Sequence, residues 1–327
     1  MSLKVVKHPG YNYIFNQNNG FFMRWGNTIQ DDPQVSPLGP ELLDIELSTV
    51  CHQGCRFCYK GNTADGYNMS LDTFKGIIDK APSNLTQIAF GIGDIDGNPD
   101  LPAILEYTRS KGVIPNITIN GFRMTPRYYD ILSKLCGAVA VSYYDKDVCF
   151  TALHELRKRG ITQNNIHALL SEETLDDCVR LITEVSNTKA MGLEVNAIVF
   201  LAFKPKGRGQ TSRFSKVKDT RSYQRLLQAS LDRQVTVGFD SCSAHNVINS
   251  GVSVDASSVE PCESTLFSYY INAKGIGFPC SFTENVCDGV DVVHSGNFMN
   301  EVWNNRHTIA FRNRLLTNYR RCPIYEV

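Results

Sequence analysis

Residues 42–58 read LLDIELSTVCHQGCRFC, and this stretch decides the fold. Its first seven residues, Leu42–Ser48, predict a strand. The loop directly after carries Cys51, Cys55 and Cys58 at CxxxCxxC spacing. A short loop of this kind can fold three sulfurs onto three irons of one cubane and leave the fourth iron without a protein ligand. An open metal position is what a catalytic site needs, whereas a closed four-ligand site is structural. His52 adjoins Cys51 and is poorly placed to share its metal as a zinc ligand.

Outward from this stretch, strand and helix alternate. Further strands are expected at 86–92, 114–119, 138–144, 165–170 and 193–201. Ser70 caps a helix through Lys80. Pro102 opens one that Gly112 stops, and Thr125-Pro126 opens one that Gly137 closes. A further helix runs to Gly160, Ser171 caps a long one ending near Gly192, and another spans about Thr220 to Gln234. Six strand–helix units imply a parallel sheet covered by helices. The fold expected is α/β: a partial (β/α)6 TIM-type barrel, with its chemistry at the C-terminal strand ends. After VTVGF (235–239) the alternation stops and cysteines become frequent. The division expected is a β-rich leader and link at 1–40, a barrel core at 41–235, and a small C-terminal Fe–S cluster domain at 236–327.

The 327 residues include 33 Lys and Arg against 33 Asp and Glu, so the formal net charge is zero. Such a chain exerts no bulk pull on nucleic acid or anionic membrane. No apolar run approaches a membrane span, and the N-terminus lacks a signal-peptide h-region, so the expectation is a cytoplasmic protein. That compartment keeps thiols reduced, which makes ligation the leading explanation for eleven cysteines. Cys136, Cys149 and Cys178 sit in helical patterns without ligand spacing and read as buried packing residues.

The CxxxCxxC triad, the aromatic Phe57 before its last cysteine, and its place after the first strand of a partial barrel resemble the radical SAM superfamily. The resemblance covers roughly residues 42–235. It implies a [4Fe–4S] cluster on Cys51, Cys55 and Cys58 whose open iron chelates S-adenosylmethionine. Reductive cleavage then yields a 5′-deoxyadenosyl radical that abstracts a substrate hydrogen. Ile92-Gly93-Asp94 stands where the family has Gly-Gly-Glu, which makes Gly93 a close-approach residue and Asp94 the acceptor of the methionyl ammonium, with Asp96 as rival. Asn120 matches the family's Thr-Asn-Gly stretch, and Ser142 a ribose- or carboxylate-contacting position. Asn196, Val199 and Leu201 fall on the strand that lines the adenine in relatives. The basic Lys204–Gly209 loop resembles a stretch found in members with a C-terminal cluster domain. Arg208 is the candidate there for holding a substrate carboxylate or phosphate, against a plain solvated turn.

Five cysteines fall after residue 241. Cys262 and Cys280 flank two short strands around Lys274-Gly275, an arrangement that resembles the SPASM and shorter "twitch" cluster domains. That resemblance implies one auxiliary [4Fe–4S] cluster on Cys242, Cys262, Cys280 and Cys322, with Cys287 as the alternative to Cys242. If unligated, Cys287 is a candidate hydrogen-atom donor. Asp240 is a candidate proton acceptor. His167 and His245 read more readily as structural histidines than as bases.

The function expected is a radical S-adenosylmethionine enzyme, of oxidoreductase or isomerase type, acting on a peptide or small molecule. Its electron donor would be a flavodoxin or ferredoxin. The alternatives are modification of a nucleobase or nucleotide, and a non-enzymatic Fe–S or zinc scaffold.

Overall fold

The computed structural model describes residues 3–190, 192–255 and 258–325. Strands β1 (Leu3–His8), β2 (Tyr11–Asn16) and β3 (Phe22–Trp25) form a small antiparallel sheet in that order. The strand–helix alternation follows: β4 (Leu42–Ser48), α1 (Leu71–Ile78), β5 (Gln87–Ile92), α2 (Leu101–Ser110), β6 (Ile114–Ile119) and α3 (Pro126–Leu135). It continues with β7 (Val139–Ser142), α4 (Lys146–Lys158), β8 (Asn164–Leu170), α5 (Leu175–Ala190), β9 (Ala197–Ala202) and α6 (Thr220–Arg233). The C-terminal part adds β10 (Val237–Phe239), α7 (Ala244–Ile248), β11 (Ser268–Ile271), β12 (Ile276–Phe278), β13 (Val290–Asp291) and α8 (Arg306–Thr317).

Strands β4 to β10 pair in sequence order, all parallel, as a partial TIM-type barrel requires. The sheet also crosses residue 236. β10 joins β9, and β11 pairs parallel with the free side of β4 before β12 and β13 turn back antiparallel. The parallel run is therefore eight strands, six from the alternation and two from the C-terminal part.

Each strand shows why its residues face as they do. Successive side chains in a strand point to opposite faces. On β4, Leu43, Ile45 and Leu47 are fully buried under the helices, while Asp44, Glu46 and Ser48 turn inward. β5 buries Ile88 and Phe90 outward and leaves Ala89 and Gly91 inside. Phe74 and Ile77 of α1 and Leu153 and Leu156 of α4 belong to that outer core. Cys136, Cys149 and Cys178 are buried in the same layer.

Two element ends differ from expectation. Ser171 does not cap α5: it exchanges hydrogen bonds with Thr174 in a turn of its own, and the helix begins only at Leu175. The ninth strand starts at Ala197 rather than 193; just before it, Asn196 donates its side-chain amide to Asn165 and its backbone N–H to the Asn164 carbonyl.

The small sheet is fastened by Tyr11, Tyr13 and Phe15 of β2, which pack with Leu266, Phe267 and Leu315. Arg24 of β3 lies 3.4 Å above the Phe267 ring and pairs with buried Glu41 at 2.9 Å. Burial pushes the Glu41 carboxyl up, with Arg24 and Tyr11 opposing. Removing one partner of a buried pair leaves the other uncompensated, at a cost of about 3–5 kcal/mol. Arg24→Met is therefore expected to lower the unfolding free energy by about 3 kcal/mol, read as a lower urea midpoint at unchanged slope.

Candidate active site

The triad loop leaves the C-terminal end of β4 and is stitched down on every side. The Cys51 N–H donates to the Thr63 carbonyl (2.8 Å), and the Asp94 N–H reaches back to the Val50 carbonyl (2.8 Å). Gly93 must be glycine: a Cβ there would run into the Val50 carbonyl and the Cys51 side chain. Gly207, at φ +57°, packs the loop after β9 against the triad loop, since a Cβ would lie 2.6 Å from the Cys58 carbonyl. Only glycine adopts that backbone freely.

All three thiols line a cavity of about 420 Å³ inside the partial barrel, with Phe57, Gly93, Asn120, Ser142 and Leu201. The Phe57 ring packs on Tyr144 and Phe214, with centroids 5.4 and 5.5 Å away. Val199 lies two residues from Leu201, on the same face of β9. Burial pushes the Cys51 and Cys55 thiols up; both feel Cys58, and Cys55 also feels Cys51. Three thiols beside one cavity, two of them held protonated by burial, suit a cationic iron cluster, which supplies the charge that lets cysteines bind as thiolates. The donor set fits a three-thiolate cluster with an open position.

Several expected roles change. Asp94 is not part of this cavity's lining: its side chain is 1% exposed and its oxygens are engaged by the loop. One accepts the His52 N–H (3.0 Å) and contacts His52 Nδ1 (2.6 Å); the other accepts the Asn120 amide (3.0 Å). Burial alone would raise the carboxyl, but these hydrogen bonds outweigh it and hold it low. With these contacts Asp94 fastens the triad loop. Its rival Asp96 is held by both Nε and Nη2 of Arg123. Arg208 is not in a solvated turn: it lines the same cavity. It donates to the carbonyls of Cys55 (2.9 Å) and Asn62 (2.7 Å), so it too serves the loop. Asn196 lies at the N-terminal end of β9, the opposite end of the barrel from the triad, because the strand starts after it.

Asp240 pairs with buried Lys204 and accepts from the Ala202 N–H (3.1 Å) and the Ser243 hydroxyl (2.7 Å), which leaves it no face toward the cavity. Burial lowers the Lys204 ammonium, but Asp240 more than reverses that. Cys287 opens into a separate cleft with His307 and Arg314, away from the main cavity, so it has no route to a substrate there.

Cys242 follows β10, Cys262 precedes β11, Cys280 follows β12 and Cys322 follows α8. The thiols of Cys242, Cys262 and Cys280 all feel Cys322; Cys242 also feels Cys262, and Cys262 feels Cys280. Burial pushes Cys262 up to about 12 and Cys280 to about 11. Four half-buried cysteines from four distant segments thus share one neighbourhood.

Sequence reasoning missed a polar group on the cavity wall. Glu46 pairs with Lys60 at 3.1 Å, and Lys60 also pairs with Glu284 and donates to the Tyr270 hydroxyl (2.8 Å). Asp44, Lys204 and a neutral His167, lowered to about 4 by burial, face the same space. The D-x-E-x-S alternation of residues 44–48 was the available signal, since a strand buried on both faces reads as apolar throughout. Nothing near Lys60 in the chain announced its partner Glu284.

Residues 45–166 match the family model described as the Radical SAM superfamily. No curated protein matches the sequence. Among solved structures the chain is similar to Streptococcus suis SuiB (TM-score 0.70, 11% identity, covering 95% of this chain and 89% of that one). It is equally similar to SuiB bound to its precursor peptide SuiA (0.70, 12%, 94% and 87%). It is also similar to anSMEcpe with bound AdoMet and the Cp18Cys peptide (0.57, 14%, 83% and 82%). At these identities the likeness is one of fold. Residues 45–166 are thus a radical SAM domain, which supports an enzyme with a [4Fe–4S] cluster and S-adenosylmethionine as cofactors. The non-enzymatic scaffold alternative falls with it.

Two outcomes are expected. Gly93→Ala should cost the triad cluster, reducing reconstituted iron by roughly four atoms per chain. The second concerns Asp44, which burial and then Glu46 push up to about 7, with Lys60 opposing. An unfolded Asp releases its proton near pH 4, so this group makes the fold lose stability as pH rises from about 4 to about 7. Asp44→Asn removes that loss. The urea midpoint of the variant relative to wild type should rise between about pH 5.5 and pH 8.

Proposed function

We propose that this enzyme uses Cys51, Cys55 and Cys58 to hold its [4Fe–4S] cluster and works on a peptide. When bound, cluster and S-adenosylmethionine supply a 5′-deoxyadenosyl radical able to abstract a hydrogen atom. The chain's own part is to hold the loop still, through Asp94 and Arg208, and to exclude water with Phe57 and Tyr144. Ser142, Gly93 and Leu201, on the wall beside the triad, are the contacts proposed for S-adenosylmethionine; Val199 continues that face, and Asn120 braces it.

One observation carries the peptide reading. The main cavity shares Glu46, Tyr59, Lys60 and Asn62 with a second, polar groove of about 650 Å³. That groove runs outward along the triad loop to Tyr67, Lys274 and Asn285. A lane of this length suits an extended segment that delivers one residue to the cavity, and SuiB and anSMEcpe are solved with peptides.

Cys242, Cys262, Cys280 and Cys322 are the proposed ligands of one auxiliary [4Fe–4S] cluster. With four thiolates it has no open position, so its role is electron transfer or support. The C-terminal part from 236 is its domain. A small one-electron carrier such as a flavodoxin or ferredoxin is the donor proposed, in the cytoplasm, where thiols stay reduced. Among the described residues no helix is long and apolar enough to cross a membrane.

The test is anaerobic chromatography for 5′-deoxyadenosine with dithionite as reductant. Reconstituted wild type should hold roughly eight irons and form the product. Cys51→Ala should form none, while Cys280→Ala should hold roughly four irons and retain formation. Product from Cys51→Ala, or a wild type that saturates at four irons, would overturn the respective cluster assignment.

A further inference from the structure

The β4 wall of the cavity carries a carboxyl that this chemistry does not use. Asp44 points inward, its Cα paired with Ala89 of β5 on one side and Tyr270 of β11 on the other. Among the described residues it has no hydrogen-bond or ion-pair partner. Its neighbours are occupied: Glu46 is taken by Lys60, the Tyr270 hydroxyl (3.3 Å) and the Ala273 N–H (3.4 Å). The Lys60 ammonium also serves Glu284, and Lys206 donates to the Ser281 carbonyl. Lys204 is bound to Asp240. One ammonium thus pairs with two carboxylates, and Asp44 feels it only at a distance, with no ion pair of its own among the described residues.

Room is reserved beside it. Ala89 and Gly91, on the facing strand, both line the cavity, and a Cβ on Gly91 would meet nothing within 4 Å. Larger residues there would fill the space that Asp44 faces. A buried carboxyl without a cation costs free energy unless it stays protonated or a ligand brings the charge.

We propose that Asp44 seats a primary ammonium carried by the substrate, with Ala89 and Gly91 keeping its place open. A compact ammonium suits this ledge better than a guanidinium, whose planar fork needs a wider, bidentate partner. The ammonium completes the charge balance of the wall and orients the substrate residue below the triad. The assignment rests on the reading of this cavity as the substrate cavity.

The experiment is calorimetric titration of the reconstituted enzyme with S-adenosylmethionine present, under anaerobic conditions. The probes are N-acetyl-lysine amide and its neutral isostere N-acetyl-norleucine amide. Wild type should bind the lysine probe about ten- to a hundredfold more tightly, the worth of a charge-assisted hydrogen bond in a dry site. Asp44→Asn should lose that preference, and Gly91→Val should bind neither probe. Circular dichroism and iron content confirm that the variants are folded. Equal binding of the two probes by wild type, binding of neither, or a preference that survives Asp44→Asn overturns the seat. If that happens while wild type still forms 5′-deoxyadenosine, the proposed function stands without it. A wild type that forms none overturns the proposed function, whatever the titration reads.

Discussion

The Lys60 ammonium, held between Glu46 and Glu284, is the interaction on which the active region depends. It lies two residues past the last cysteine of the triad. One of its carboxylates belongs to the first barrel strand, and the other follows Cys280. Three parts of the chain that share no local sequence signal meet at one buried cation. Removing that cation would leave two carboxylates facing each other in a dry site, a situation far more costly than never having built the pair. The same contact explains why Tyr270, on β11, can close the cavity wall: its hydroxyl accepts from Lys60.

The sheet makes that meeting possible. β4 is paired on both sides, with β5 in the alternating part and with β11 from the C-terminal part. The segment bearing the second cysteine group is therefore not hung on a linker. It is hydrogen-bonded to the strand that launches the first group. The pairing fixes the register of Tyr270 beside Asp44, and so sets the composition of the wall on which the substrate reading rests.

The fold was legible because its signals are local. Apolar runs such as IPNITI at 114–119, helix openings at Pro102 and Pro126, and cysteine spacing at 51–58 each depend on neighbours a few residues away. Side-chain roles were less so. Asp94, Arg208 and Asp240 were plausible as ligand contacts by position, but each finds its partners in segments brought close only by folding. For Asp94 the partner was His52, next to a cysteine already singled out, and the pair could not be read from either residue alone. Asp44 and Glu46 are the opposite case. Their alternation with Leu43, Ile45 and Leu47 was visible, and it contradicted a strand apolar on both faces.

A ten-strand sheet that does not close has two free margins, and such margins are places where chains pair with each other into aggregates. Here the outermost strands are very short, three residues in β10 and two in β13. They expose few unpaired backbone groups, too few to template a neighbouring strand. The open barrel can thus leave space for a substrate without offering a seam to another copy of itself. Variants that lengthen either terminal strand would be the ones to watch for poor colloidal behaviour at high concentration.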